Sequence, residues 1–299
     1  MNRRIARVTE APFARGFLGD DHLAAMRVSP EDYAKNDPFF LLMDDNLDRG
    51  ETFTPMGEPH PHAGFETVTF FLEGTVRDAH EGGLFEAGDL QWMTAGRGVI
   101  HSEDLEAKGK LRILQLWLIL PKRDRAAPPR FQEVHAASVP IQHLAGAEVR
   151  LYSGRLGTLR SSTRNYVPVT LADLRLQPGA SVALDLPASY NGFALLLDGG
   201  AKAGADDTAL TPDQIGWLDR PDGAGPSTLR LTAGDAGARV LLYAGQPQGD
   251  ALVASGPFIA DTREDLQRLY AEYRAGRFPR MSELSEVAQA AGSADSPAA

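Results

Sequence analysis

The sequence predicts an all-β protein of two domains, with one α-helix near its C-terminus, and three observations carry that expectation. Short apolar or alternating segments recur along the chain, separated by Gly-bearing turns. The 30 glycines and 20 prolines among 299 residues supply those turns. Only near Leu266 do apolar residues recur at helical instead of strand spacing. A chain of this length accommodates two domains of ordinary size.

The best-patterned strand covers 65–72. Phe65, Thr67, Thr69 and Phe71 fall on one face, and Glu66, Val68, Phe70 and Leu72 on the other. Glu73-Gly74 ends it, a Gly-rich loop around His80 follows, and Ala87-Gly88-Asp89 reads as a turn. Strands are expected over 90–94 and 99–103, joined by the turn Ala95-Gly96-Arg97-Gly98, and a buried strand over 111–120. The segment from Lys122, charged and then proline-bearing, reads as a linker running to about Pro140.

The second half repeats this grammar, with strands over 166–174, 181–186, 193–197, 214–218 and 239–243. Such spacing suits a sandwich or barrel, and two similar halves suggest a duplicated β-domain divided as 1–135 and 136–284. The helix is expected over 262–275, within the second domain. Asp261 or Thr262 caps it, Leu266, Leu269, Tyr270 and Tyr273 form its packing stripe, and Gly276 stops it. The tail 285–299, mostly Ala, Ser and Gly, is expected to be disordered.

Composition narrows the function. Forty acidic residues against 30 Lys and Arg give a net charge of −10, which argues against direct nucleic-acid binding. The absence of cysteine excludes disulfides, iron–sulfur clusters and thiolate chemistry. The first residues lack the apolar run of a secretory signal, and no segment approaches the ~18 apolar residues of a membrane span. A cytoplasmic monomer is the expectation.

Three of the seven histidines fall in a pattern. His60-Pro61-His62 precedes the best strand, and His101-Ser102-Glu103 lies on a later one. Residues two apart on a strand face the same way. Two such pairs facing each other in a barrel would bring together three imidazoles and a carboxylate, a donor set suited to divalent iron, nickel, manganese, copper or zinc. Glu66, four residues after His62, points inward by the same parity, as a further ligand, as a group orienting a histidine, or as a base. Trp92 and Met93 read mainly as core residues, Met93 also as pocket wall beside Phe70 and Leu72. Arg97 reads as a solvated turn residue or an anion contact. His22, His80, His135 and His143 have no partner pattern, and Asp20-Asp21 and Asp44-Asp45 read as solvated faces or turns.

These stretches also carry a resemblance. Gly57, His60-Pro-His62, Glu66 and Gly74 resemble the first cupin motif, and Gly88, Gly96, Gly98 and His101 the second. The runs His60-Pro-His-Ala-Gly-Phe-Glu-Thr-Val-Thr69 and Asp89-Leu-Gln-Trp-Met-Thr-Ala-Gly-Arg-Gly-Val-Ile-His-Ser-Glu103 are similar to those of the pirin family, as is Gly256-Pro-Phe-Ile-Ala-Asp-Thr262. The resemblance implies a bicupin, two jelly-roll-like β-barrels in one chain. It implies one metal, Fe(II) in the first instance or another transition metal, on His60, His62, His101 and Glu103. Ala63 departs from the arginine usual there. Asn191-Gly-Phe stands where a second cupin would carry His-x-His, so no metal is expected in the C-terminal barrel. The resemblance further implies a quercetinase-like dioxygenase acting on a flavonol-like aromatic substrate, with Glu103 or Glu66 as base. The alternative is a non-enzymatic, redox-responsive iron protein that binds a transcription factor or metabolic enzyme.

Overall fold

The computed structural model describes residues 1–78, 83–101, 105–221 and 225–284. The chain forms two compact units that are not consecutive in sequence. The N-unit comprises Ala14–Ala24, Met43–His135 and the chain from Asp250 on. The C-unit comprises Met1–Phe13, Ala25–Leu42 and Ala136–Gly249.

The N-unit is built on a nine-stranded sheet. Its main order begins Arg130–Val134, Leu90–Thr94, Phe65–Asp78, Leu105–Ile119 and Phe39–Asp48, the last of these within the unit from Met43 on. The expected strand at 65–72 is therefore the start of a longer one, central in the sheet. The expected linker instead contains a short 3-10 turn, Lys122–Asp124, and then the strand Arg130–Val134, which pairs antiparallel with Leu90–Thr94. Charge and prolines misled there because an edge strand tolerates both. Register sets one face of this sheet. Thr69 lies opposite Gln115 on one neighbour and Gln91 on the other, while Thr67 lies opposite Trp117 and Phe71 opposite Ile113.

A separate two-stranded ladder carries the histidines. His60–His62 pairs antiparallel with Val99–His101, with His60 opposite His101 and His62 opposite Val99. The chain turns from the ladder into the main sheet at Gly64, whose φ is +91°. A Cβ there would sit 1.9 Å from the Ile259 carbonyl oxygen, so both the backbone angle and the close approach require glycine.

The helix Arg263–Arg274 packs in the N-unit, not in the C-terminal domain to which sequence assigned it. Thr262 is the cap, its Oγ1 accepting the Asp265 N–H at 3.1 Å. Leu269 is buried and Leu266 and Tyr270 partly so, against Ala63, Phe258, Ala260 and Phe278. Tyr273 stands at the rim of this cluster.

The C-unit has its own nine-stranded sheet, with main order Ile5–Thr9, Ile215–Leu218, Asn191–Ala203, Pro226–Gly245, Val169–Leu176, Ala147–Ser153 and Ile141–Leu144. Its core is aliphatic, with Leu151, Leu174, Leu196, Leu231 and Leu242 among its members. The N-terminal strand is fastened by Arg3, which is fully buried. Its guanidinium donates to the Ser227 hydroxyl at 2.7 Å, to the carbonyls of Pro187, Ala188 and Tyr190 at 2.6–3.1 Å, and to that of Asp219. Asn191 is a structural residue: its side-chain amide donates to the carbonyls of Lys35 and Asp37 at 2.7 and 3.0 Å.

Candidate metal centre

The ladder gathers the imidazoles of His60, His62 and His101. Their ring centroids lie 4.3–4.8 Å apart, and one nitrogen from each falls within 4.8 Å of the others. Among the described residues this is the one grouping of three or more His, Cys, Asp or Glu close enough to share an ion. The Nε2 atoms of His60 and His101 are 2.9 Å apart. Two nitrogens bound at about 2.0–2.1 Å and about a right angle to one metal would be separated by about that distance.

Second contacts fix ring orientation. His60 donates Nδ1–H to the Glu58 carbonyl at 2.8 Å, which leaves its Nε2 lone pair for a ligand. His62 is wedged edge-on against Phe65 and Trp117, at 5.1 and 5.2 Å, and those two rings stack on each other at 4.2 Å. Burial pushes the His62 and His101 imidazoles well below their ordinary pKa. Neighbouring imidazoles add to the effect, and the Pro257 carbonyl partly opposes it at His62. Neutral imidazole is the form that ligates. Both ring nitrogens of His62 are buried with no well-formed hydrogen bond, and a metal would satisfy one of them. The donor set therefore fits a divalent transition metal.

The triad opens into a chamber of about 820 Å³. Its walls include Thr69, Phe71, Gln91, Gln115 and Trp117, all from the sheet face set by the register described above, together with Asp45. Glu103 lies outside the described residues, as does His80. Glu66 does not line the chamber. It shares the opposite face of its strand with Val68, Phe70 and Leu72, and its carboxylate, fully buried, accepts the Thr94 hydroxyl at 2.7 Å. The turn at Gly64 breaks the alternation, so parity counted through it from His62 points the wrong way. Phe70 and Leu72 fall on that opposite face for the same reason, and Met93 joins an apolar cluster with Ala95, Val99 and Met281.

Sequence reasoning missed one buried pair beside the chamber. His22 and Asp45, read as unpatterned and as a solvated turn, are joined by a 2.8 Å contact from Nε2 to Oδ1, and His22 is fully buried. The Leu18 N–H donates to His22 Nδ1 at 3.0 Å. Nδ1 is thereby an acceptor, so Nε2 carries the proton given to Asp45. Burial raises the Asp45 carboxyl above its usual range, against the lowering effect of the His22 bond. Asp44 is not solvated either: it is fully buried and takes a two-pronged bond from Arg112 at 3.0 and 2.8 Å. His135, half-buried, is bonded to Asp89 and Glu133, and His143 lies 3.7 Å from Glu148.

Comparison with known proteins places this geometry. The Pirin family model matches residues 21–118, and the Pirin C-terminal cupin domain matches residues 171–279. The chain is 33% identical over 267 residues to Pirin-like protein 2 of Arabidopsis thaliana, covering 87% of this chain and 81% of that one. It is 32% identical over 246 residues to human Pirin, covering 80% and 81%. A crystal structure titled quercetin 2,3-dioxygenase from Acinetobacter baumannii superposes with a TM-score of 0.78 at 25% identity, covering 92% of this chain and 98% of that one. With two cupin domains in one mostly β chain and histidines gathered at the positions its motifs forecast, the protein belongs to the pirin family.

Proposed function

We propose that the protein is a metal-dependent dioxygenase that opens the central ring of a flavonol-like substrate. The observation that supports this most is the chamber. A histidine triad opens into about 820 Å³ of part-aromatic, part-polar space, a volume suited to a small organic ligand. The name of the Acinetobacter baumannii structure points the same way. A sealed centre would have favoured a purely regulatory iron protein.

His60, His62 and His101 would hold the metal, with Glu103 completing the set as the family resemblance implies, and Fe(II) is the ion proposed. Bound there, the metal would supply Lewis acidity and redox chemistry. The chain's own residues do the rest. Phe71 and Trp117 offer apolar surface to a flat ring. Trp117 donates Nε1–H to the Gln115 side-chain oxygen at 3.3 Å, turning the Gln115 amide NH₂ toward donation to a substrate oxygen. Asp45, held at Oδ1 by His22, accepts the proton of a substrate hydroxyl at Oδ2, in the role sequence reasoning gave to Glu66 or Glu103. A cytoplasmic location belongs to the same proposal; among the described residues no helix is long and apolar enough to cross a membrane.

Oxygen uptake with quercetin tests the reading, comparing Fe(II)-loaded and metal-free protein. Metal-dependent uptake is expected. Uptake no greater than the metal-free control, at full metal occupancy, would overturn the enzyme reading in favour of the regulator.

A further inference from the structure

The N-unit holds a second cavity, of about 420 Å³, that shares no lining residue with the histidine chamber. It is formed by the turn Gly96-Arg97-Gly98, the 3-10 segment Lys122–Asp124 with the residues just after it, and the helix Arg263–Arg274 with its flanks. Its charge is anomalous for a protein of net charge −10. Six cationic side chains line it, Arg97, Lys122, Arg123, Arg125, Arg268 and Arg277, against three carboxylates, Asp261, Asp265 and Glu272.

The carboxylates are already engaged. Asp261 accepts Arg125 Nε–H at 3.1 Å, and Arg268 reaches Asp265 at 3.0 Å and Glu272 at 3.5 Å. Arg123 pairs with Asp124. Among the described residues, Arg97, Lys122 and Arg277 make no ion pair. Arg125 is the most telling. Its side chain is only 8% exposed, and both Nη atoms are buried without a hydrogen bond. A buried cationic donor left unsatisfied is costly, and an acceptor bound in this cavity would relieve that cost at Arg125.

We propose that this cavity binds a small phosphomonoester, with its phosphate on Arg125, Arg97 and Arg277. A phosphate carries about −1.5 to −2 charge near neutral pH, which matches the local cationic surplus. Its oxygens suit the fork of a guanidinium better than one carboxylate would, because Arg125 has spent only Nε on Asp261. The cavity exceeds what phosphate alone fills, and Ile259, Leu269 and Phe278 line the remainder with apolar surface for an organic part. Arg97, which reads in sequence as either a solvated turn residue or an anion contact, takes the second role.

The test is calorimetric titration of the full-length protein with inorganic phosphate and with glycerol 3-phosphate, at ionic strength matched with chloride. One saturable site per chain is expected, tighter for the ester. Arg97 and Arg277 are exposed, so the double variant R97A/R277A keeps the fold and should weaken binding by about tenfold per lost contact. Arg125→Met should abolish binding, with its thermal melt recorded alongside. His101→Ala should bind both probes as the wild type does, which separates this cavity from phosphate captured at the metal centre. No saturable binding, undiminished binding by R97A/R277A, or loss in His101→Ala would each overturn the proposal. Equal affinity for the two probes would overturn the organic half of the assignment.

Discussion

His60 and His101 face each other across the antiparallel ladder with Nε2 atoms 2.9 Å apart, the spacing of neighbouring donors on one metal ion. Removing either ring removes a vertex of that arrangement and nothing of the aliphatic and aromatic core. His101→Ala is therefore expected to lower metal affinity by at least about 100-fold while far-UV circular dichroism stays that of the wild type. Elemental analysis after dialysis against a weak chelator measures it. Wild-type metal content in the variant would contradict the assignment.

The pH at which metal leaves follows from burial. His62 and His101 are bases held well below their ordinary pKa. They stay neutral in the folded chain at a pH where the same rings in the unfolded chain are protonated, below about 6.5. Their contribution to metal-free stability is thus present above about pH 6.5 and lost as pH falls. Protons compete with metal only further down, so metal should remain bound through pH ~6.5 and be released in more acidic buffer. Half-release already at that pH, by equilibrium dialysis and metal analysis, would speak against buried neutral ligands.

Asp45→Asn should reduce flavonol turnover by about a hundredfold or more with metal content unchanged, if Asp45 accepts the substrate proton. Because burial raises the Asp45 carboxyl, the acid limb of the kcat/KM profile should lie above the ordinary carboxylate range. The His22 bond pulls that carboxyl down, so His22→Phe should move the limb further up. A limb unmoved by His22→Phe would remove Asp45 from the role.

Glu66→Gln tests the break in alternation at Gly64. The amide oxygen still accepts the Thr94 hydroxyl, and the side chain lies on the face away from the chamber. Turnover and metal content should both match wild type. A slowed enzyme with full metal would return Glu66 to the site.

Leu269→Ala should destabilise the protein by about 2–5 kcal/mol, read as a lower urea midpoint, since Leu269 is 6% exposed in the cluster with Phe258 and Phe278. An unchanged midpoint would mean the helix is not anchored through this stripe.

The histidine triad was legible because each His-bearing pair declares its own face locally, two residues at a time. Glu66 was not, because its face depends on one glycine angle between the ladder and the sheet. His22 and Asp45 leave no trace in local spacing: 23 residues separate them, and they meet only through the fold. The strand Pro226–Gly245 was read only at 239–243, since Gly234, Asp235 and Gly237 suggest a turn. Pairing runs up to Ala233 and resumes at Ala238, so the two halves of the strand are joined through an unpaired irregularity at 234–237. Sequence grammar thus found what is periodic and local, and missed what long-range pairing imposes.

The exchange of chain ends between the two units has a consequence for biosynthesis. When the ribosome has made His60, His62 and His101, it has not yet made Phe258, Leu269 or Phe278, which pack against Ala63 and Ile100, neighbours of two of those histidines. A nascent chain paused after Gly249 carries all three imidazoles but lacks the wall behind them. The C-unit, begun first with Met1–Phe13, ends at Gly249, and the N-unit is finished last, so the wall behind the histidines is complete only once the chain beyond Gly249 has been made.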